Sequence, residues 1–109
     1  MALQFKSYIS TAVGATETTV YTCPTGGSAT AIGLSLANIT TSNVTVSVRL
    51  QKTGPVFAHI VKNVVIPPGQ SLAVAGGDQK IVLESNNTLR VTCNVASGVD
   101  VITSVTEIV

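Results

Sequence analysis

Val44-Thr45-Val46-Ser47-Val48-Arg49-Leu50 is the stretch whose reading decides the fold. Aliphatic and polar residues alternate one for one. Successive side chains of a strand point to opposite faces, so a period of two sorts Val44, Val46, Val48 and Leu50 inward and Thr45, Ser47 and Arg49 toward water. The same pattern recurs outward from this segment. Ile32, Leu34 and Leu36 alternate with Gly33, Ser35 and Ala37. Leu89, Val91, Cys93 and Val95 alternate with Arg90, Thr92 and Asn94, and Val99, Val101, Thr103 and Val105 carry the pattern toward the C-terminus. No run of aliphatics at helical spacing is bounded by caps. Val is the commonest residue and Thr and Ile abound, a composition that fits a pleated, half-buried surface.

Turn residues punctuate these runs. They fall at Val13-Gly14-Ala15, Pro24-Thr25-Gly26-Gly27-Ser28, Thr41-Ser42-Asn43, Lys52-Thr53-Gly54-Pro55, Pro67-Pro68-Gly69-Gln70, Ala75-Gly76-Gly77-Asp78, Ser85-Asn86-Asn87 and Ala96-Ser97-Gly98. A turn roughly every 8–15 residues is the rhythm of a sandwich or barrel. Pro68-Gly69 fits the centre of a type II turn, with Pro fixing one φ and Gly supplying the positive one. Strands are expected near residues 3–9, 17–23, 30–38, 43–51, 56–62, 70–75, 79–84, 88–95 and 99–108. With no helix to cover them, these strands must pack sheet on sheet. The expected fold is therefore all-β: a single antiparallel β-sandwich domain over residues 1–109, with Ig-like, Greek-key-type connections. Leu34, Leu36, Val46, Val48, Leu72, Ile81, Leu83, Leu89, Val91, Cys93 and Val101 should face inward.

Composition narrows the function. The 109 residues suit one domain. Only 10% are charged, against roughly 25% in an average domain. The net charge of +1 offers no basic surface for nucleic acid. No apolar run approaches the roughly 20 residues of a membrane span, and the first residues carry no signal-peptide core. Two cysteines are too few for a disulfide scaffold, and both are expected to be reduced in a cytoplasm. The sequons at Asn38, Asn43 and Asn86 read as accidents of a Thr/Asn-rich chain, because glycosylation requires secretion.

Candidate chemistry is sparse. His59 is the one conventional acid–base group; in Val56-Phe57-Ala58-His59-Ile60-Val61-Lys62 it has apolar residues on both faces, so the strand reads as covered on both sides and His59 as a packing or interface residue. No Ser or Cys lies in a nucleophile motif. Cys23, Cys93 and His59 are scattered singly rather than paired as zinc ligands usually are. Asp78 and Asp100 stand alone beside Gly, without a series of oxygen ligands. Gly76-Gly77-Asp78 lacks the Lys and helix of a phosphate loop. Cys23 and Cys93 could be tested as an immunoglobulin disulfide, but the chain has no Trp and Val91 occupies the usual Tyr position. No catalytic, cofactor or metal residue is assigned, and no enzyme activity is expected. What remains is an uncharged surface of strand residues such as Thr45, Ser47, Thr92 and Asn94, with few charges to guard open strand edges.

Two segments carry a family likeness. Thr18-Thr19-Val20-Tyr21-Thr22-Cys23-Pro24-Thr25-Gly26 leads into Ala31-Ile32-Gly33-Leu34-Ser35-Leu36-Ala37-Asn38. Pro67-Pro68-Gly69-Gln70-Ser71-Leu72 is followed by Gly77-Asp78-Gln79-Lys80-Ile81-Val82-Leu83-Glu84. Over residues of about 16–95 the chain resembles a family of small all-β virion structural proteins of tailed, marine bacteriophages. Asn86-Asn87-Thr88-Leu89 stands where that family usually has a Gly-Asp turn, and Cys23 where it usually has an aliphatic. The resemblance implies a module built into a virion after synthesis in the host cytoplasm. The expected role is a capsid decoration or cement protein on the outer head. Its partners would be the major capsid protein or other virion proteins and further copies of itself in a homo-oligomer, with neither nucleic acid nor membrane. A neck, tail or fibre component, or a receptor- or glycan-binding module, is the alternative.

Overall fold

The computed structural model describes residues 3–54, 56–76 and 79–108. Pro55, Gly77 and Asp78, each part of an expected turn, lie outside the described residues. Nine strands follow in order: β1 (Leu3–Val13), β2 (Thr18–Thr22), β3 (Ser28–Asn38), β4 (Val44–Gln51), β5 (Phe57–Ile66), β6 (Ser71–Ala75), β7 (Ile81–Leu83), β8 (Thr88–Cys93) and β9 (Val99–Ile108). Every paired strand is antiparallel to its neighbour. One sheet, here sheet A, runs β1-β9-β3-β6, with β7 also on β3; the other, sheet B, runs β2-β8-β4-β5.

Strand count and positions match the sequence reading, with two informative differences. β1 and β5 run past their expected ends, to Val13 and Ile66. Each contains a register irregularity, and each has a residue of positive φ near it, Ala12 at 54° and Asn63 at 54°. A bulge inserts an extra residue and breaks the alternation that sequence periodicity depends on. At Pro67-Pro68-Gly69-Gln70 the amide of Gln70 donates to the carbonyl of Pro67 at 3.1 Å, and Gly69 has φ of 72°, as a type II turn requires.

The sandwich is as expected, but its wiring is not that of an immunoglobulin domain. There the first strand lies beside the second in one sheet. Here β1 lies beside β9, and the chain changes sheet at every connection except β4–β5 and β6–β7. This order is that of a jelly roll, in which two Greek keys are rolled together. The distinction is invisible to periodicity, because both connections leave the same alternation in each strand.

The core lies between the inner faces. Leu34, Leu36, Val44, Val46, Val48, Leu83, Leu89, Val91, Val99, Val101 and Val105 are all buried, together with Cys23 and Cys93. Of the eleven residues expected inside, ten are buried, and Leu72 is half-buried against the same cluster. Cys23 and Cys93 are free thiols. At the end of β3, buried Asn38 satisfies its whole amide. Its Nδ2 donates to the carbonyls of Ser42 and Ile66, both at 2.8 Å, and its Oδ1 accepts from the Thr40 amide and hydroxyl. The first of the three sequons is thus an internal clamp between the β3–β4 loop and the end of β5.

Two substitutions test this account of the interior. Asn38→Ala strands the carbonyl of Ile66, and a buried polar group without a partner costs roughly 1–3 kcal/mol; chemical denaturation should show a loss of that order. Thr103 is fully buried on β9 and its hydroxyl has no hydrogen-bond partner. Thr103→Val keeps the shape and removes that hydroxyl, so it should raise the unfolding midpoint.

Candidate functional site

β1 is amphipathic in the unexpected sense. Pairing with β9 sets Leu3 opposite Ile108, Phe5 opposite Thr106, Ser7 opposite Ser104 and Ile9 opposite Ile102, all on the outside of sheet A. Leu3 is 61% exposed, Phe5 73% and Ile9 70%. The alternate residues Gln4, Lys6, Tyr8 and Ser10 take the side toward the core. A half-buried strand normally turns its apolar residues in, whereas this one turns them out.

Glu107 explains the inversion. It is a carboxylate on the inner face of β9 and only 1% exposed. Tyr21 of β2 donates its hydroxyl to Glu107 Oε2 at 2.5 Å, and Tyr8 of β1 donates to the same oxygen at 3.1 Å. Lys6 Nζ lies 3.4 Å from Oε1, and the two tyrosine rings meet at 5.2 Å. A buried charge left without partners is strongly destabilising. Shifting β1 by one residue would exchange its faces and take Lys6 and Tyr8 away from Glu107. Burial works against ionisation of Glu107, but the hydrogen bonds from Tyr21 and Tyr8 and the nearby Lys6 ammonium outweigh it and hold its carboxyl below the usual carboxylate range. Burial and the neighbouring carboxylate push the Tyr21 phenol well up. Sequence reading passed over Glu107, because a lone Glu in a strand gives no signal of its partners; its inward place in the alternation of Val101, Thr103 and Val105 was the available clue.

Across sheet A the outward residues form rows. Phe5 and Thr106 continue through Thr30 to Val82 of β7; Ser7 and Ser104 continue to Gly33; Ile9 and Ile102 continue to Ser35. Two rows that carry Phe5 and Val82, and Ile9 and Ile102, therefore flank a row of small residues. Among the described residues of the paired strands, no Lys, Arg or Glu stands on this face, and Asp100 at its end is tied to the amide of Ala12 at 2.9 Å.

The outside of sheet B is different in kind. Glu17 takes Arg49 in two hydrogen bonds, 2.5 Å from Nε and 2.6 Å from Nη2, with Arg90 Nη1 at 3.7 Å. Arg49 also lies over the ring of Phe57 at 4.3 Å, and Phe57 meets His59 edge-on at 5.8 Å. Beside this group a shallow depression of about 220 Å³ is lined by Thr45, Ser47, Asn63, Thr92 and Asn94 among others. It is smaller than the roughly 300–1,000 Å³ of ligand pockets.

The residues weighed from sequence do not converge. His59 is exposed, as are Phe57 and Ala58, so this edge strand is not covered on both sides as its sequence implied. The apolar residues that do turn inward, Val61, Val64 and Ile66, follow the opposite parity across the bulge at Asn63. Asp78 lies outside the described residues. Among those described, no three His, Cys, Asp or Glu side chains gather as metal ligands would, and no helix is long and apolar enough to cross a membrane. Thr45, Ser47, Thr92 and Asn94, singled out as an uncharged surface, do come together, around the sheet B depression.

Glu107 gives the cluster a measurable pH signature. A carboxyl whose folded pKa is depressed contributes stability that is fully present above its unfolded value, near 4.5, and lost as pH falls through the folded value. A phenol whose folded pKa is raised contributes stability that is present below pH 10 and lost above it. Denaturation midpoints should thus fall toward both acid and alkali. In Glu107→Gln the acid limb should flatten and the neutral-pH midpoint should drop; an unchanged acid limb would show that Glu107 is not the titrating group. The chain matches no protein-family model, no curated protein and no solved structure.

Proposed function

We propose that this chain is a structural subunit of a virion, added to the outer head as a capsid decoration protein, and that it is not an enzyme. The observation that carries the reading is the uncharged, apolar outer face of sheet A. Contiguous exposed apolar surface of this kind marks an association site. In an isolated protomer Leu3, Phe5 and Ile9 stay exposed, although burial of each would be worth roughly 1.5–3 kcal/mol. The partners that β1 supplies to Glu107 set these side chains outward, and their burial is recovered where another surface covers the face. The jelly roll is consistent with this role, being shared by viral capsid and lectin domains; a fold alone does not assign a function. The virion setting itself rests on the sequence resemblance.

Decoration works by mass action. A subunit that binds only the assembled shell stabilises it in proportion to occupancy, and many copies with modest individual affinity suffice. The glycan-binding alternative finds less support. Sugar rings stack on open aromatic faces, and Phe57, the aromatic on the outside of sheet B, already carries Arg49 on its ring.

Quantitative staining of purified virions tests the reading. A decoration protein should appear in hundreds of copies, comparable with the major capsid protein. A few copies per particle, or loss of the chain with detached tails, would instead place it in the neck, tail or fibre. Ile102→Lys, on β9 in the middle of the apolar face, should abolish addition to undecorated heads while leaving the circular dichroism spectrum unchanged.

A further inference from the structure

A sandwich of two open sheets has edges, and natural proteins guard them with short strands, bulges, Pro or outward charges. Three edges here are guarded in this way. β2 has five residues and a register shift between Thr19 and Tyr21. β5 has two register irregularities, with Lys62 and the positive-φ Asn63 in its middle. β6 and β7 divide the far edge of β3 into pieces of five and three residues.

β1 is the exception. It is eleven residues long and keeps unbroken register with β9 from Leu3 to Ser10. Its outer edge is unpaired, because β1 ends the strand order of sheet A. The only charge on it, Lys6, turns inward to Glu107 rather than standing guard.

From this we infer that two copies of the chain pair through β1, antiparallel about a twofold axis at Ser7, joining their A sheets into one continuous sheet. The occupant is a second copy because β1 is complementary to itself. A twofold at Ser7 sets Phe5 of one copy opposite Ile9 of the other, twice, on the outward face. It also sets Lys6 opposite Tyr8 on the inward face. Aromatic–aliphatic cross-strand pairs are favourable, whereas like charges directly opposite are not. Moving the axis one residue, to Lys6, would set Leu3 opposite Ile9 but place the two lysines against each other and leave Phe5 opposite Ser7. The lysine repulsion therefore selects the register at Ser7, in which Ile9 meets the aromatic Phe5. A twofold contact of one patch with itself closes, so it yields a dimer rather than a fibre. The joined sheet also doubles the apolar face proposed above for docking. The pairing does not depend on the virion reading, since it is a property of the isolated chain.

Sedimentation equilibrium on the purified protein, over a concentration series, tests it. The mass should converge on about twice the 11.1 kDa of the chain. Phe5→Lys and Ile9→Lys alter side chains that are already exposed in the protomer, and each should return the mass to that of one chain with an unchanged circular dichroism spectrum. Ser7→Cys should give a reducible covalent dimer under mild oxidation. Val82→Cys, equally open on the far side of the same sheet, should not. A wild-type chain that stays monomeric throughout overturns the inference, as does a dimer that survives Phe5→Lys. A dimer that dissolves with Phe5→Lys but cross-links through Val82→Cys and not Ser7→Cys is a face-to-face contact, and overturns the edge pairing. None of these measurements involves a particle, so failure of the virion reading would leave their outcome standing.

Discussion

Glu107 must be solvated by protein, and the arrangement of β1 follows from that need. A carboxylate on the inner face of β9 has lost water, and it regains partners from two tyrosines and a lysine. Tyr21 comes from β2 in the opposite sheet, while Tyr8 and Lys6 come from β1 beside it. The cluster therefore ties the two sheets together along one side of the sandwich. It also selects the register of β1, since only one face of that strand carries Lys6 and Tyr8. The outward display of Leu3, Phe5 and Ile9 is the consequence, because a strand cannot turn one set of side chains inward without turning the other set out.

The two outer faces of the sandwich then differ by construction. Sheet B gathers Glu17, Arg49 and Arg90 in one connected group, with a patch of hydroxyls and amides beside it. Such a face is well hydrated, and its ion pairs, being half-exposed, contribute little to stability. Among the described residues, the paired strands of sheet A carry no such group on their outer face. With only 10% of residues charged, the chain has little with which to make every surface repel association. The open long edge and the apolar rows lie on the same sheet, which is where a partner gains both backbone pairing and apolar burial.

The jelly-roll wiring has a physical correlate in this arrangement. Because the chain changes sheet at most connections, β1 and β9, the first and last strands, lie side by side. Glu107 near one end of the chain can then meet Lys6 and Tyr8 near the other, 101 and 99 positions away in sequence. In a sandwich whose first strand paired with its second, these residues would not share a site.

The alternation of Val44–Leu50 and its neighbours determined by itself that the protein is an all-β sandwich, and largely which residues fill the core, because a period of two has one reading on a pleated sheet. Turn chemistry at Pro67-Pro68-Gly69-Gln70 was equally local, since φ restrictions act within a residue. The uncharged group of Thr45, Ser47, Thr92 and Asn94 was also legible, as outward residues of strands that proved to be neighbours. Three things were decided only by tertiary structure. Sheet order was one, because alternation is the same whichever strands pair. The exposure of His59 was another, because a second register irregularity, between Val61 and His59, puts His59 opposite the outward Arg49. The facing of β1 was the third: its own alternation would put Leu3, Phe5 and Ile9 inside, and only the long-range demand of a buried Glu107 for Lys6 and Tyr8 turns them out.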